Sequence, residues 1–322
     1  MQMDYGDVWL NFEGPISGGS VEASLTQNER DPYFRGSKDD IVDKRTHEAV
    51  FISAAVIEQN EQELIIEQKT LLKFWKISVP VTTTITFSKY SAMIKYRTEF
   101  IPSGKNYRIR AAFPTGINDG KIRHEIPFGI AEREQAEFPC QNWCDYSDDS
   151  KGLALINKGI PANNVDSGIM MLTLFRSVAM EYKTDSVLSY NEGRPQCFEY
   201  AVMPHYSDDD AEIINNARRF NQPVNVCRVK KSLLGSEPCY YADKPNIILS
   251  GLRSQKGAVF IRLYEAIGRN KTECTVKIPD DVSFYSFADG LQKPSGGKIS
   301  CRGEIPLVFK AFEIVNILLY KE

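Results

Sequence analysis

The chain has 322 residues, enough for two domains or for one large β architecture with a small appendage. Hydrophobic residues make up 42% and charged residues 25%, which is typical of a soluble globular protein and argues against wholesale disorder. The net charge of −3, with acidic and basic residues interspersed, gives no electrostatic reason to expect nucleic acid or an anionic membrane as a partner.

Three further sequence features bear on where the protein works. No stretch approaches the roughly 20 apolar residues that span a bilayer. The N-terminus, Met1 to Asp7, has neither the basic nor the apolar region of a signal peptide. The seven cysteines include no C-x-x-C pair, which favours reduced thiols. We therefore predict a cytoplasmic protein, in which the sequon at Asn270 is a chance match.

Short runs with alternating apolar residues predict antiparallel strands along most of the chain. The residues between them are turn formers such as Gly, Pro, Asn and Asp. Residues 59–69 are rich in Glu and Gln, yet their neighbours favour a strand there as well. The predicted strand runs are 75–81, 94–100, 107–113, 153–156, 171–175, 198–203, 259–264 and 312–319.

One segment predicts a helix. Ser207 can cap a first turn of three aspartates, whose charges suit a helix N-terminus. Apolar residues then follow at helical spacing until Pro223 ends the segment: Ile213, Ile214, Ala217 and Phe220.

So many strands with one short helix predict an all-β protein built of β-sandwiches. The polar stretch with three prolines before residue 247 reads as a connection. We predict a large β domain over 1–225, a connection over 226–246 and a small terminal β-sandwich over 247–322.

The residues by themselves indicate little catalytic machinery. His47, His124 and His205 form none of the compact metal-binding motifs, and no nucleophile elbow or phosphate loop is present. Carboxylates are plentiful, but a glycosidase pair is defined by its separation in space, which a β-fold sequence does not supply.

Seven short segments follow one another in a recognisable order. They are DYGDVW at 4–9, NYRIRAAFPT at 106–115, IPFGIAER at 126–133, QNWCDYS at 141–147, GLALIN at 152–157, LTLFRS at 172–177 and FEYAVMPH at 198–205. In this order they resemble the C-terminal half of glycoside hydrolase family 38 α-mannosidases, especially the bacterial members. The later segments 249–252, 262–264 and 312–314 resemble the small terminal β domain of the same family. Each segment alone is weak, whereas the shared order covers nearly the whole chain.

The resemblance implies a mutarotase-like β-supersandwich followed by a small β-sandwich. It also implies that the catalytic domain, with its zinc ligands and aspartate nucleophile, is a separate N-terminal part and that this chain alone is inactive and holds no cofactor. The expected partners are that domain and a terminal α-mannoside, which the intact, zinc-dependent enzyme would hydrolyse with retention. An apolar face left without that partner could drive self-association.

The resemblance also implies which residues approach the substrate. The segment that opens this half of the family lies near the catalytic pocket, which points to Asp7 and Asp4. A sandwich arginine that can contact ligands corresponds to Arg133. Trp9 stands where bacterial members usually have tyrosine, so a hydroxyl contact is not expected there.

Two other functions remain open at this point. A stand-alone aldose mutarotase would use two histidines and a carboxylate as acid and base, and His124, His205 and Glu313 are the available set. A carbohydrate-binding module would stack sugars on exposed aromatic rings, for which the candidates are Trp75, Trp143, Tyr240 and Tyr241.

Overall fold

The structure, a computed structural model, describes residues 2–5, 46–74, 77–103, 107–177, 193–206, 210–224, 228, 240–255 and 257–321. The chain divides into two compact units, one of residues 1–124 and 132–208, the other of residues 125–131 and 209–322. The helix thus groups with the C-terminal strands, whereas the sequence prediction placed it at the end of the large domain.

The described residues form 23 strands and one helix. The strands up to residue 206 are β1 (Gln2–Tyr5), β2 (Thr46–Glu48), β3 (Val50–Gln59), β4 (Glu63–Phe74), β5 (Ile77–Ser88), β6 (Ile94–Phe100), β7 (Tyr107–Pro114), β8 (Lys121–Ile126), β9 (Gly129–Arg133), β10 (Phe138–Pro139), β11 (Trp143–Ser147), β12 (Lys151–Asn157), β13 (Ala162–Asp166), β14 (Ile169–Ser177) and β15 (Gln196–Tyr206). The remainder are helix α1 (Asp210–Asn221) and strands β16 (Tyr241–Ala242), β17 (Ile247–Gln255), β18 (Ala258–Glu265), β19 (Thr272–Lys277), β20 (Val282–Phe287), β21 (Ile299–Ser300), β22 (Glu304–Phe309) and β23 (Ile314–Lys321).

The first unit is a sandwich of two antiparallel sheets. The six-stranded sheet has the order β10-β13-β14-β7-β1-β2, and the nine-stranded sheet has the order β3-β4-β5-β6-β15-β12-β11-β8-β9. Alternate residues of both sheets point inward and form one core, because period-two apolar patterning buries one face of each strand. Its fully buried members include Leu172 and Met170 of the smaller sheet and Tyr146, Leu155 and Tyr200 of the larger one.

The second unit is a smaller sandwich. A three-stranded sheet, β16-β19-β22, and a five-stranded sheet, β17-β18-β23-β20-β21, share a core that includes Val276, Phe309, Ile261 and Ile317. At the end of β18, the fully buried carboxylate of Glu265 accepts hydrogen bonds that hold the neighbouring turns together. Its donors are the Asn246 side chain and the backbone amides of Ile267, Gly268, Arg269 and Phe312.

The all-β prediction is confirmed, as is the strand over most of residues 59–69, which lies in β4 after a turn at Asn60. The helix begins with Asp210 and Glu212 in its first turn and buries Ile213, Ile214 and Ala217. Its predicted cap, Ser207, lies outside the described residues. No helix of the described chain is long and apolar enough to cross a membrane.

One strand boundary was wrong. The alternation extends to Phe312, but β23 begins at Ile314. Phe312 has a φ of 56°, which no strand accommodates, and its amide donates to Glu265 over 3.1 Å. A long-range hydrogen bond therefore sets this turn.

A buried polar chain crosses the core side of the nine-stranded sheet. The hydroxyl of Tyr200 lies 2.8 Å from that of Thr98, which lies 3.1 Å from that of Thr83. The Tyr200 ring also stacks on Tyr96 at 5.3 Å. These contacts tie β15, β6 and β5 together through side chains as well as backbone.

Removing the Tyr200 hydroxyl, which lies at one end of this series of hydrogen bonds, should destabilise the fold. Tyr200→Phe leaves the buried Thr98 hydroxyl one partner short, so we expect the free energy of unfolding to fall by about 1–2 kcal/mol. The matched change Tyr206→Phe, at a ring that is 80% exposed, should leave it unchanged. Urea titrations of the two variants measure the difference, and equal midpoints would contradict the role of this hydroxyl.

Candidate functional site

The residues predicted to approach a substrate fall in three places. Asp7 lies outside the described residues. Asp4 lies on β1, where it is paired with Arg108 of β7, and the next same-face pair is Gln2 with Arg110. Arg133 ends strand β9. Asp4 thus occupies a register position beside two arginines.

These arginines belong to a polar layer on the six-stranded sheet. Arg108 and Arg110 alternate with the core residue Ile109, so they lie on the face turned away from the main core. Arg108 donates to Glu137 over 2.6 Å, and the hydroxyl of Thr173 donates to the other carboxylate oxygen over 3.0 Å. Charged and polar groups therefore occupy this sheet face.

Arg133 lies next to that layer along the chain. Its guanidinium carbon is 4.5 Å from the ring centroid of Phe138, the residue after Glu137. Its Nε is buried and has no hydrogen-bond partner among the described residues. Arg108 and Arg133 thus contact consecutive residues, Glu137 and Phe138, while Asp4 is placed only by its backbone register.

A second group of charged side chains surrounds Asp145 of β11, which is fully buried. One oxygen accepts from His205 Nε2 at 2.6 Å. The other accepts from the Arg123 guanidinium at 2.7 and 3.2 Å and from the Ser147 hydroxyl at 2.8 Å. Four donor atoms of three residues, from β8, β11 and β15, therefore satisfy this carboxylate. We call Asp145, Arg123, Ser147 and His205 the Asp145 cluster.

The cluster's geometry defines the protonation of His205. Its Nε2 faces a carboxylate and its Nδ1 lies 2.7 Å from the carbonyl oxygen of Tyr206, so both nitrogens meet acceptors and both carry protons. Burial alone lowers the pKa of His205, but the hydrogen bond and charge of Asp145 outweigh it and raise that pKa above its ordinary value.

The Asp145 cluster also requires a glycine at position 152, next to His205. Gly152 of β12 pairs with His205 in register. A Cβ at Gly152 would lie 2.3 Å from the imidazole ring and 2.7 Å from the Cβ of Ser147, far inside contact distance. Glycine is therefore required here by the close approach of the ring.

A cleft of about 610 Å³ opens beside the cluster, with Arg123 in its wall. The lining is entirely polar and carries both signs of charge: Asp119, Lys121, Arg123, Glu132, Ser147, Asp148 and Asp149. Glu132 lines this cleft, whereas its neighbour Arg133 contacts Phe138, because successive strand residues point to opposite faces. The structure does not bring Arg133 into the cleft.

His124 has a different environment. Its Nε2 lies 2.8 Å from Asn163 Oδ1, and the amide nitrogen of Asn163 donates to the Pro161 carbonyl, so Nε2 carries the proton. Its Nδ1 is buried and meets no hydrogen-bond partner in the part of the chain that the structure describes. Burial, together with the positive charge of Arg133, lowers the pKa of His124 to about 4, although the bond to Asn163 acts in the opposite direction.

This geometry bears on the two alternative functions. His124 pairs with Cys144 and His205 pairs with Gly152 opposite Ser147, which places the two histidines on opposite faces of the nine-stranded sheet. Glu313 belongs to the other unit. The three do not form an acid–base set.

The aromatic candidates are mostly in the cores. Trp143 is fully buried and Tyr240 packs against the core of the second unit, while Tyr241 is partly exposed. Trp75 lies outside the described residues. The geometry assembles no aromatic platform from Trp143, Tyr240 and Tyr241.

No group of three or more His, Cys, Asp or Glu side chains in the described chain could hold a metal ion. Five cysteines in that part are free thiols: Cys140, Cys144, Cys197, Cys274 and Cys301. The predicted zinc belongs to the catalytic domain and stays a prediction, as does the cytoplasmic location.

The Asp145 cluster is what sequence reasoning missed. Asp145, Ser147 and His205 stood in segments singled out by the resemblance, but nothing indicated that they meet. Asp145 and His205 lie 60 residues apart along the chain, and Arg123 stood in none of these segments. Alternation within β11 and β8 would place Asp145 and Arg123 on one face only after the strand pairing was known.

Comparison with known proteins gives a family match over about half of the chain. Residues 26–184 match the family described as the glycosyl hydrolases family 38 C-terminal domain. The chain is 25% identical over 245 residues to α-mannosidase 2C1 of Homo sapiens and 24% identical over 249 residues to that of Mus musculus. Each alignment covers 70% of this chain and 23% of the relative, so the chain spans about a quarter of the length of these relatives.

Solved structures share the fold. An α-mannosidase from Enterococcus faecalis V583 has a TM-score of 0.70 at 16% identity, with 85% of this chain and 35% of that chain covered. A glycosyl hydrolase family 38 protein from Enterococcus faecalis has a TM-score of 0.72 at 15% identity, with 86% and 37% covered. At this identity the likeness shows the fold.

The two histidines should give the stability opposite dependences on pH. The raised pKa of His205 means that its contribution is complete below about pH 6.5 and is lost as the pH rises through the folded-state pKa. The lowered pKa of His124 means that its contribution is complete above about pH 6.5 and is lost as the pH falls through about 4.

Urea titrations from pH 4 to 9 test both assignments. In the wild type, the free energy of unfolding should change with pH both above and below about pH 6.5. His205→Gln should reduce the change above that pH, and His124→Gln should reduce the change below it. If the free energy of unfolding depends on pH in both variants as it does in the wild type, these protonation states are contradicted.

Neutralising the centre of the cluster should be costly. Asp145→Asn leaves the His205 and Arg123 charges without their counter-ion in a buried site, which we expect to cost about 3–5 kcal/mol of unfolding free energy. Asp149→Asn, at an exposed carboxylate of the cleft, is the control and should change the stability by less than about 0.5 kcal/mol. Equal losses in thermal or urea unfolding would contradict the cluster's role.

Proposed function

We propose that the chain is the non-catalytic C-terminal portion of an α-mannosidase, because residues 26–184 match the glycosyl hydrolases family 38 C-terminal domain. In this proposal it supports a catalytic domain that precedes it in the intact enzyme and forms one edge of that domain's active site. The observation that carries the proposal is the family match, which the curated α-mannosidases 2C1 support over 70% of the chain.

The proposal gives the polar layer of the six-stranded sheet a purpose. A sheet face that carries Arg108, Arg110 and Glu137 suits a partner or substrate with polar groups better than an apolar one. The Nε of Arg133 has no partner among the residues that the structure describes, and its guanidinium packs against an aromatic ring, so its orientation is fixed before any ligand arrives. We assign it, with Asp4 and Asp7, to the edge of the substrate site.

The chemistry itself is assigned to the preceding domain. Zinc there would bind hydroxyl groups of a terminal mannose, and an aspartate of that domain would form a covalent glycosyl intermediate with retention. This chain's part is to position and enclose, and its own carboxylates take no catalytic role.

The proposal predicts that activity depends on the preceding domain. With zinc present, this chain alone should hydrolyse an aryl α-mannoside no faster than buffer, whereas the product of its N-terminally extended gene should be active and release a retained product. Turnover by the chain alone would overturn the division of labour. Absence of turnover by the extended product on α-mannosides would overturn the family function.

The edge residues make a second prediction. In the active extended enzyme, Arg133→Ala and Asp7→Ala should each raise the KM for an aryl α-mannoside by about tenfold or more, as expected for a lost charged hydrogen bond. Arg302→Ala, at an exposed arginine of the second unit, is the control and should leave KM unchanged. Unaltered kinetics in both test variants would remove these residues from the site.

A further inference from the structure

Strand β3 forms an edge of the nine-stranded sheet and is exposed along its whole length. Five large apolar side chains are each more than half exposed: Val50, Phe51, Ile52, Val56 and Ile57. The strand carries no charge before Glu58 and no proline. Protein sheets usually protect an edge with such residues, and a long apolar edge without them is a site where another strand pairs.

The exposed residues continue the core rather than standing apart from it. One row of register partners crosses the sheet through Tyr200, Tyr96, Ile85, Ile66 and Val56. Along this row burial decreases outward, from a buried tyrosine through three half-buried residues to an exposed valine. Among the described strands none pairs with the outer side of β3, so the apolar row ends at a sheet edge that no described strand covers.

We infer that this edge pairs with the same edge of a second copy of the chain. In an antiparallel pair of strands related by a twofold axis, each residue faces a residue of the other strand, and the two residue numbers always add up to the same sum. With Ala54 on the axis, Phe51 faces Ile57 and Ile52 faces Val56 of the other copy, so four large apolar residues of each strand face one another. In this register Val50 faces Glu58. Centring on Ala55 would instead place Ile52 opposite Glu58 and Phe51 opposite Gln59, so that no two of the five large apolar residues would face each other.

The local backbone permits this register. β3 departs from regular pairing with β4 at two bulges, between Phe51 and Ser53 and between Val56 and Glu58. A bulge often blunts an edge, but the residues inserted here, Ile52 and Ile57, are exposed and apolar. The regular stretch between them, 53–56, has small residues at the axis, which allow the two strands to approach closely.

The inference is independent of mannosidase activity and is tested by mass in solution. Sedimentation equilibrium of the 322-residue chain over about 1–100 µM should give a dimer with a Kd within that range, typical of a modest interface. Val56→Lys should abolish the dimer, because it places an ammonium group in each of the two symmetry-related Ile52–Val56 pairs. Val308→Lys is the control, since Val308 is an equally exposed strand residue of the other unit. Circular dichroism spectra that match the wild type will establish that both variants are folded.

A cysteine scan tests the register. Ala54→Cys places the two thiols opposite each other, with Cα atoms about 4.5–5.5 Å apart, which a disulfide spans. Ser53→Cys, which faces Ala55 of the other copy, should not cross-link. Peptide mass spectrometry distinguishes a 54–54 link from links through the native thiols. A monomer at all concentrations, or a 53–53 link without a 54–54 link, would overturn the inference.

The same measurement on the N-terminally extended gene product distinguishes the two possible occupants of the edge. A dimer that is again abolished by Val56→Lys supports pairing between copies. A monomer would show that the rest of the enzyme covers β3 and would overturn the proposed dimer, whatever the activity of that product.

Discussion

The first unit depends on how one buried charge is satisfied. Asp145 has no contact with solvent, and its two oxygens accept from an imidazolium, a guanidinium and a hydroxyl. A lone carboxylate in such a site would cost several kcal/mol, so its donors are required together and not separately. Because they come from strands β8, β11 and β15, the same contacts fix how these strands lie and hold Arg123 in the wall of the cleft.

The two faces of the nine-stranded sheet shift the pKa of histidine in opposite directions. His205 lies between two acceptors and is held in its charged form, while His124 lies among apolar and amide groups near Arg133 and is held neutral. The environment thus raises the pKa of one of these two identical side chains and lowers that of the other. Neither arrangement leaves a free nitrogen facing a cleft, which is why histidine chemistry contributes little to the function proposed for this chain.

Local sequence predicted the architecture, and long-range pairing determined the site. Alternation gave the strands, and helical spacing of Ile213, Ile214 and Ala217 gave the helix, because both patterns are written in neighbouring residues. The Asp145 cluster depends on the pairing of three strands, which alternation does not specify. The turn at Phe312 was missed for the same reason, since Glu265 reaches it from 47 residues away. Asp4, Asp7 and Arg133 came only from the family resemblance.

The close approach of Gly152 to His205 has a consequence for variation in the family. A methyl group at position 152 would overlap the imidazole ring, so alanine becomes tolerable only if residue 205 is smaller. A smaller residue at 205, in turn, removes the imidazole that donates to one of the two carboxylate oxygens of Asp145 and leaves Arg123 and Ser147 as the donors to the other. Homologous sequences should therefore change positions 145, 152 and 205 together or not at all, a pattern of covariation that an alignment of family members can reveal.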